Sequence, residues 1–396
     1  MLLTLIFCLS LIAVPFAVFP ALLWARARLA PAPFQAAAVT PSVDLVICAH
    51  NEAGVIGERI ENALALDYPP GLLTIWLASD GSTDDTVARA QQAAADSPQR
   101  LRVLNLPRTG KAGALTAAVS AGSSAVIAFS DANSQWQRDA LRALVAPLHD
   151  PSVGGVAGDQ RYSLPDPTAG QEASGERGYW SFDRMLKRWQ SQAGNTTSAT
   201  GAIYCIRREL FEPPPADATD DFMVSTGVIA AGRRLAFTPD AVAVEPPAAS
   251  TGLEFRRKVR IISRGLRGVA YRRALMNPFR TGLYGVQLFV HKLWRRLVWL
   301  PLLVLILCSP FVVAAGGLAG LIGSATLTFV LLALLGILFT PLRRYRLIAV
   351  PAYVAVVNAA CLVATYNLLA GRRISRWHLP RTQDSRSHDT RTIESR

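Results

Sequence analysis

The sequence contains no Cys-x-x-Cys pair. Its five cysteines, Cys8, Cys48, Cys205, Cys308 and Cys361, are scattered, and three of them fall in apolar runs. That spacing excludes a zinc ribbon and a disulfide framework and leaves reduced packing residues. The best-known phosphate-binding signatures are missing too. No GxGxxG follows the first predicted strand, and Gly110-Lys111 does not belong to a P-loop. The upstream glycine is not at the required spacing, and Ala112 stands where a Ser or Thr would bind magnesium. Acidic residues are in short supply: 28 Asp and Glu against 41 Lys and Arg, a formal charge of +13. No nucleic-acid-binding motif accompanies the excess, so nucleic acid is not an expected partner. A surface beside anionic lipid headgroups accounts for it.

What the chain holds in quantity is apolar residues, 51% of 396, gathered in long runs. One soluble domain plus membrane segments fits that distribution. Residues 1–24 are almost wholly apolar and are followed by Arg26 and Arg28. A signal peptide carries its positive charge before the apolar run, so this segment reads as an uncleaved anchor over 1–25. The amino terminus is then outside and the next domain cytoplasmic. Pro15 and Pro20 predict a kink, and 30–42, with three prolines, reads as a linker. Three apolar runs close the chain, at about 297–315, 318–340 and 347–369. The first two form a hairpin, with His291, Lys292, Arg295 and Arg296 before it and Arg343, Arg344 and Arg346 after it on the cytoplasmic side. The third, which holds Asn358, Tyr366 and Asn367, sets a conflict. If it spans, the arginine-rich tail 372–396 lies outside against the positive-inside rule. A re-entrant segment and a span at an electrostatic disadvantage both remain open. The polar tail past Arg381 reads as disordered.

Between these runs the pattern alternates. Strands are predicted at 43–49, 72–78, 101–104, 125–129, 153–157 and 201–206. Helices are predicted at 55–66, from about 84 (capped by Ser82 or Thr83), at 111–121, 138–148 and 178–192, and from Thr219-Asp220-Asp221 to about Ala231. Tyr179, Trp180, Phe182, Leu186 and Trp189 mark the 178–192 helix as core or membrane-interface packing, or a sugar platform. Such alternation predicts a mostly parallel sheet with helices on both faces, and sites in such sheets collect at the carboxyl ends of the strands. Asn51-Glu52, Asp80 and Asp131 all sit just past strand ends, so one crevice should gather them. The turn Asp131-Ala132-Asn133 places a carboxylate two residues from a second oxygen ligand, which suits a hard divalent cation. A plain turn explains that triplet equally, as dipole capping explains Asp220-Asp221. In 255–273, Arg257, Arg260, Arg264 and Arg267 recur at helical steps opposite Phe255, Val259, Ile262, Leu266 and Val269. This is an interfacial helix, its arginines at headgroup level or turned inward to an anionic ligand.

Taken in order, these turns resemble those of the family 2 glycosyltransferases, in particular membrane-embedded synthases related to poly-N-acetylglucosamine, hyaluronan and cellulose synthases. The resemblance covers 43 to about 299, and its most specific piece is Asp80-Gly81-Ser82-Thr83-Asp84-Asp85-Thr86. It implies an α/β, GT-A type nucleotide-sugar-binding domain with a mostly parallel sheet, flanked by transmembrane helices. The implied organisation is an anchor at 1–25, the GT-A domain at 43–250, interfacial helices at 251–295, a transmembrane region at 296–370 and a polar tail at 371–396. Cys48-Ala49-His50-Asn51-Glu52 falls on a turn that touches the nucleoside, which assigns Ala49, Asn51 and Glu52 to the donor; Cys48 replaces the usual proline. Asp80 falls on the carboxylate that holds uracil, and Lys111 on a lysine near the nucleotide. Asp131 and Asn133 fall on the metal-binding Asp-x-Asp, with Mg2+ or Mn2+ as the cofactor and an amide in place of the second acid. Asp221 falls on the general base of Thr-Glu-Asp. Arg257 and Arg260 fall on the Gln/Arg-x-x-Arg-Trp motif of processive synthases, with Ile261 replacing the tryptophan.

The expected chemistry follows. A sugar hydroxyl is a poor nucleophile at neutral pH, so a placed carboxylate must take its proton. The departing diphosphate gains charge, which a divalent metal with Lys111 and Arg260 would stabilise. One base and one displacement imply inversion, so an α-linked UDP-sugar gives a β bond. The expected enzyme is an inverting glycosyltransferase that moves a sugar from a UDP-sugar to a growing polysaccharide at the cytoplasmic face of the inner membrane. The alternative is a non-processive transferase that glycosylates a membrane lipid. A catalytically dead scaffold is a third reading, opposed by the carboxylate kept in every acidic turn. Expected partners are the UDP-sugar, the polysaccharide or lipid acceptor and membrane lipids, with room for accessory subunits.

Overall fold

The computed structural model describes residues 1–163, 172–246 and 252–372. The predicted polar tail beyond 372 and the side chains of Tyr179 and Trp180 lie outside the described residues. The strands are β1 (Val43–Ala49), β2 (Leu73–Asp80), β3 (Leu101–Leu106), β4 (Val126–Asp131), β5 (Gln135–Trp136), β6 (Val153–Tyr162), β7 (Tyr204–Arg207) and β8 (Arg234–Glu245). They form one sheet of eight in the order β3-β2-β1-β4-β7-β6-β8-β5. The β3-β2-β1-β4 half is parallel throughout, as the alternation predicts. Beyond it β7 runs antiparallel to both β4 and β6, while β6 and β8 are parallel.

The helices on this sheet are α2 (Ile56–Leu64), α3 (Thr86–Ala93), α4 (Lys111–Ala121), α5 (Ala140–Val145), α6 (Glu172–Ala193) and α7 (Asp220–Ala230); α1 (Leu2–Leu29) precedes them. β1 explains the layering. Its side chains alternate between faces, and every residue is buried, as in a parallel strand covered on both sides. Leu45 and Ile47 pack with Ile56 and Ile60 of α2 and Leu141 and Leu144 of α5. Val46 and Cys48 pack with Leu115 and Ala118 of α4 and Val224 and Val228 of α7. The predicted helix over 138–148 ends sooner, because it tightens into a 3-10 turn at Ala146–His149, around Pro147.

Four helices are long and apolar enough to cross a membrane: α1 (Leu2–Leu29), α9 (Leu283–Ala315), α10 (Gly317–Leu338) and α11 (Arg346–Leu369). The amphipathic α8 (Gly252–Tyr271) precedes them. α1 outruns the predicted anchor because Pro15 is absorbed in a π turn at Val14–Val18. It packs by Leu5 and Cys8 on Leu305 and Val312 of α9, and by Phe19 and Leu23 on Leu186 of α6. α9 starts well before the predicted span. Its first turns dock on the sheet domain, where Tyr284 Oη donates to Thr197 O at 2.9 Å and Gln287 Nε2 donates to Asn195 O at 2.9 Å. The other side of those turns exposes Leu283, Val286 and Phe289.

α8 packs against α11, with Lys258 Nζ 5.2 Å from the Tyr353 ring centroid. Two of its arginines turn inward. Arg267 pairs with Asp217 at 3.5 Å, and Arg264 donates to Ala218 O. The predicted linker is bonded along the domain's flank: Ala32 N donates to Gln192 O at 2.7 Å and Gln35 N to Asp150 Oδ2 at 3.1 Å, and Arg234 donates to the carbonyls of Ala32 and Pro33.

Candidate active site

The turns after β1 and β2 are wired to each other. Asn51 has φ 54°, in the left-handed region that asparagine tolerates better than most residues. Its Oδ1 accepts from Thr83 N at 2.8 Å, and its own N–H donates to Ser82 Oγ at 3.2 Å. Glu52 N donates to Thr86 Oγ1 at 2.9 Å. Ser82 and Thr83 are therefore partners of Asn51, and the N-cap position of α3 falls to Asp85, without a side-chain bond; Asp84, just before it, accepts from Thr86 N at 3.1 Å and Ala53 N at 3.1 Å. Burial opposes the charge of Asp84, but these donors and the Thr86 hydroxyl hold its carboxyl below the usual range. Ala49 is buried at the end of β1, just before this turn.

Asp80 is buried, and its carboxylate is engaged from within the chain. Oδ1 accepts from Thr109 N at 2.6 Å and Gly110 N at 2.9 Å, and Arg108 Nη1 stands 3.4 Å from Oδ2. Gly81, at φ +63°, lets the chain turn against Arg108, whose backbone N a Cβ there would meet at 3.0 Å. Asp80 thus fixes the loop that feeds Lys111 into the first turn of α4.

Lys111 is the centre of the site. Its Nζ lies 2.7 Å from Asp131 Oδ1, at the end of β4, and 3.1 Å from Asp220 Oδ2, at the start of α7. Burial alone would lower the ammonium, but Asp131 and Asp220 hold it well above ordinary lysine, so it stays charged. Asp221 follows on α7, its Oδ1 accepting from its neighbour Phe222 N at 2.7 Å. Burial first, and Asp220 second, raise its carboxyl from 3.8 to about 6, against the opposing pull of Lys111. Burial pushes the nearby Cys48 thiol up to about 12, so it is neither a nucleophile nor a ligand at neutral pH.

Two carboxylates converging on one ammonium also suit a divalent cation that shares its shell with phosphate oxygens. Gly201 leaves room beside them, since a Cβ there would stand 2.8 Å from Asp131 Oδ2. Among the described residues no group of three His, Cys, Asp or Glu side chains is placed to hold a metal, so a bound nucleotide would have to complete the coordination. Asn133 lies in the turn after Asp131, outside the bridge that Lys111 makes.

The structure thus joins Lys111 and Asp131 to the stretch bearing Asp221, and joins Asn51 and Glu52 to the turn after Asp80. Arg257 stands exposed on α8, with Arg260 half-buried one turn on. Ile261 is 44% exposed. Three residues were missed by sequence reasoning. Asp220 was read only as a cap. Tyr204 stacks on Phe129 at 4.6 Å, and its buried hydroxyl lacks a hydrogen-bond partner while feeling the charges of Asp220, Asp221 and Asp131. Arg59 is fully buried, donates to Ser130 Oγ at 3.2 Å and lies over Trp136; burial lowers it to about 9. Its position on the apolar face of α2, between Ile56 and Ile60, was the available signal.

Residues 44–213 match the family described as Glycosyl transferase family 2. An N-acetylglucosaminyltransferase of Bradyrhizobium diazoefficiens is 25% identical over 223 residues, 53% of this chain and 46% of that protein. A beta-monoglucosyldiacylglycerol synthase of Synechocystis is 32% identical over 119 residues, 29% of this chain and 25% of that protein. The chain spans about half the length of the N-acetylglucosaminyltransferases it matches, and a quarter of that synthase. A solved mannosyltransferase from Pyrobaculum calidifontis, in complex with GDP-mannose and Mn2+, superposes with a TM-score of 0.68 at 24% identity, over 93% of this chain and 100% of that one. That likeness shows a shared GT-A-type α/β fold.

Proposed function

We propose that the chain, whose residues 44–213 match the description Glycosyl transferase family 2, moves a sugar from a nucleotide-sugar to a hydroxyl of a membrane lipid, once per acceptor and with inversion. The observation that carries this reading is the cluster at the strand ends, where Lys111 bridges Asp131 and Asp220 beside an Asp221 poised near pH 6. Asp221 takes the acceptor's proton as the new bond forms from oxygen to the anomeric carbon. The bond from that carbon to the diphosphate breaks, and its electron pair leaves with the nucleotide. Lys111 faces the leaving phosphates as a fixed positive charge. Asp131 and Asp220 would hold a divalent metal, Mg2+ or Mn2+, which supplies further charge neutralisation when bound. Asn51, Glu52 and Asp80 shape the nucleoside side of the crevice. The domain would lie on the cytoplasmic face of the inner membrane, with UDP-sugars as the donors to try first.

The lipid acceptor is favoured by Ile261, an aliphatic side chain left 44% exposed where processive synthases use tryptophan. The second reading is transfer to a growing polysaccharide, which rests on the resemblance to membrane-embedded synthases. A screen of labelled nucleotide-sugars on membranes, read as released nucleoside diphosphate and product length, tests both. One added sugar on extractable lipid is expected. A polymer ladder would overturn the lipid reading, and no release with any donor would overturn transfer itself.

Two further results are expected. A base raised to about 6 must be ionised to act, so activity is present above that pH and lost below it. The kcat/KM profile should fall about tenfold per pH unit on its acid limb, with a midpoint near 6. A midpoint near 4 would remove Asp221 from that role. Asp131→Ala should abolish the difference in UDP affinity measured with and without Mn2+; wild type that binds UDP equally in both conditions would contradict the metal site.

A further inference from the structure

The polar start of α9 is not used by the chemistry above. His291 Nε2 lies 3.3 Å from Arg295 Nη1 and 3.6 Å from Asp183 Oδ1. Facing the Arg295 guanidinium, which only donates, Nε2 accepts and the neutral ring carries its proton on Nδ1; a ring doubly protonated beside Asp183 carries one there as well, whereas a neutral ring that donates from Nε2 to Asp183 makes Nδ1 an acceptor. Nδ1 is buried without a hydrogen-bond partner, in a side chain only 9% exposed. With its proton on Nδ1 the ring has an orphan donor. Next to it, Lys292 pairs with no carboxylate among the described residues. Its ammonium stands 5.9 Å from the ring centroid of Phe222, the residue after Asp221. Asp183, the described carboxylate in this group, is already shared by His291 and Lys187, the latter at 3.6 Å. An orphan N–H and a half-buried cation together cost free energy that a multivalent anion would recover.

We propose that the junction of α6, α7 and α9 binds the phosphate of a lipid acceptor, on Lys292 Nζ and His291 Nδ1, and so presents that lipid's hydroxyl to Asp221. This rests on the lipid-glycosylating reading above. A lipid phosphate fits better than a free anion because apolar residues lead away from the junction. Leu283, Val286 and Phe289 expose 38%, 40% and 42% of their surface along α9, and Phe279, just before it, exposes 98%. These offer exposed apolar surface to acyl chains lying beside the junction.

The test is calorimetric titration of the full chain in uncharged detergent micelles with dioctanoyl phosphatidic acid, dioctanoylglycerol, inorganic phosphate and, separately, UDP. Phosphatidic acid should bind about tenfold more tightly than either the uncharged lipid or inorganic phosphate. Lys292→Gln and His291→Phe should each remove most of that preference and leave UDP affinity unchanged, which also shows that the domain is folded. Equal affinity for the charged and uncharged lipids would overturn the site. Inorganic phosphate binding as well as the lipid would overturn the lipid as its source. A preference that survives in both variants would overturn the placement. Wild type that binds phosphatidic acid but no nucleotide would instead sink the glycosyl-transfer reading and leave this site standing.

Discussion

Asp221→Asn should lower kcat by about a thousandfold, the usual scale for loss of a placed base, while UDP affinity stays within about twofold. The amide keeps the shape of the carboxylate and its place at the start of α7, and Oδ1 can still accept from Phe222 N. What it loses is the capacity to take a proton. Single-turnover rates and UDP titration on the same preparation separate the two effects, and unimpaired turnover would remove the assignment. The neighbour supplies a control with a different signature. Asp220 raises the Asp221 carboxyl by its own charge. Asp220→Asn should therefore move the acid limb of the pH profile to lower pH while weakening donor binding, since Lys111 loses one of its two anchors.

Lys111→Met should have the second largest effect, on the donor rather than on the base. A charge-assisted bond to phosphate is worth roughly 1.5–3 kcal/mol, so nucleoside diphosphate affinity should fall about tenfold to a hundredfold. The lysine also lowers the Asp221 carboxyl, so its removal should shift the acid limb upward from about 6. The two changes are read in separate measurements, UDP titration and the kcat/KM profile. A variant with weaker UDP binding and an unmoved limb would show that Lys111 meets phosphate but does not tune the base. Lys111→Arg should rescue poorly, because a rigid fork cannot reach Asp131 and Asp220 as a point charge does.

Much of the site was legible because its residues end strands whose patterns are plain. Val43–Ala49 reads as a buried parallel strand, and the acidic turns that follow β1, β2 and β4 converge by topology alone. Other parts were hidden for physical reasons. β8 carries Pro239 and Asp240, which speak against a strand, yet a register shift between Ala157 and Asp159 of β6 lets the ladder pass them. The antiparallel placing of β7 leaves no mark in hydrophobic periodicity. Asp220 and Asp221 both satisfy a helix start, so nothing local says that the first pairs with a lysine from another helix. The early start of α9 was masked by Gln287, His291 and Lys292, which break the apolar run where the helix meets the domain. Arg264 and Arg267 of α8 face inward because buried Asp217 and the carbonyl of Ala218 draw them, a partnership between segments that neither reveals by itself.

The bonded stretch at 30–42 has a consequence for acceptor choice. It ties the flank of the sheet domain that carries Arg234 and Asp150 to α1, and α8, packed on α11, holds the start of α7 through Arg264 and Arg267. A body moored through α1, α8 and α9 on a fluid sheet is held against lifting and turning. On the proposed reading the reacting carboxylate then stands at a set height above the bilayer. How far a headgroup projects becomes a ruler for selection, separate from its chemistry: an otherwise suitable hydroxyl on too short or too long a stalk is out of reach.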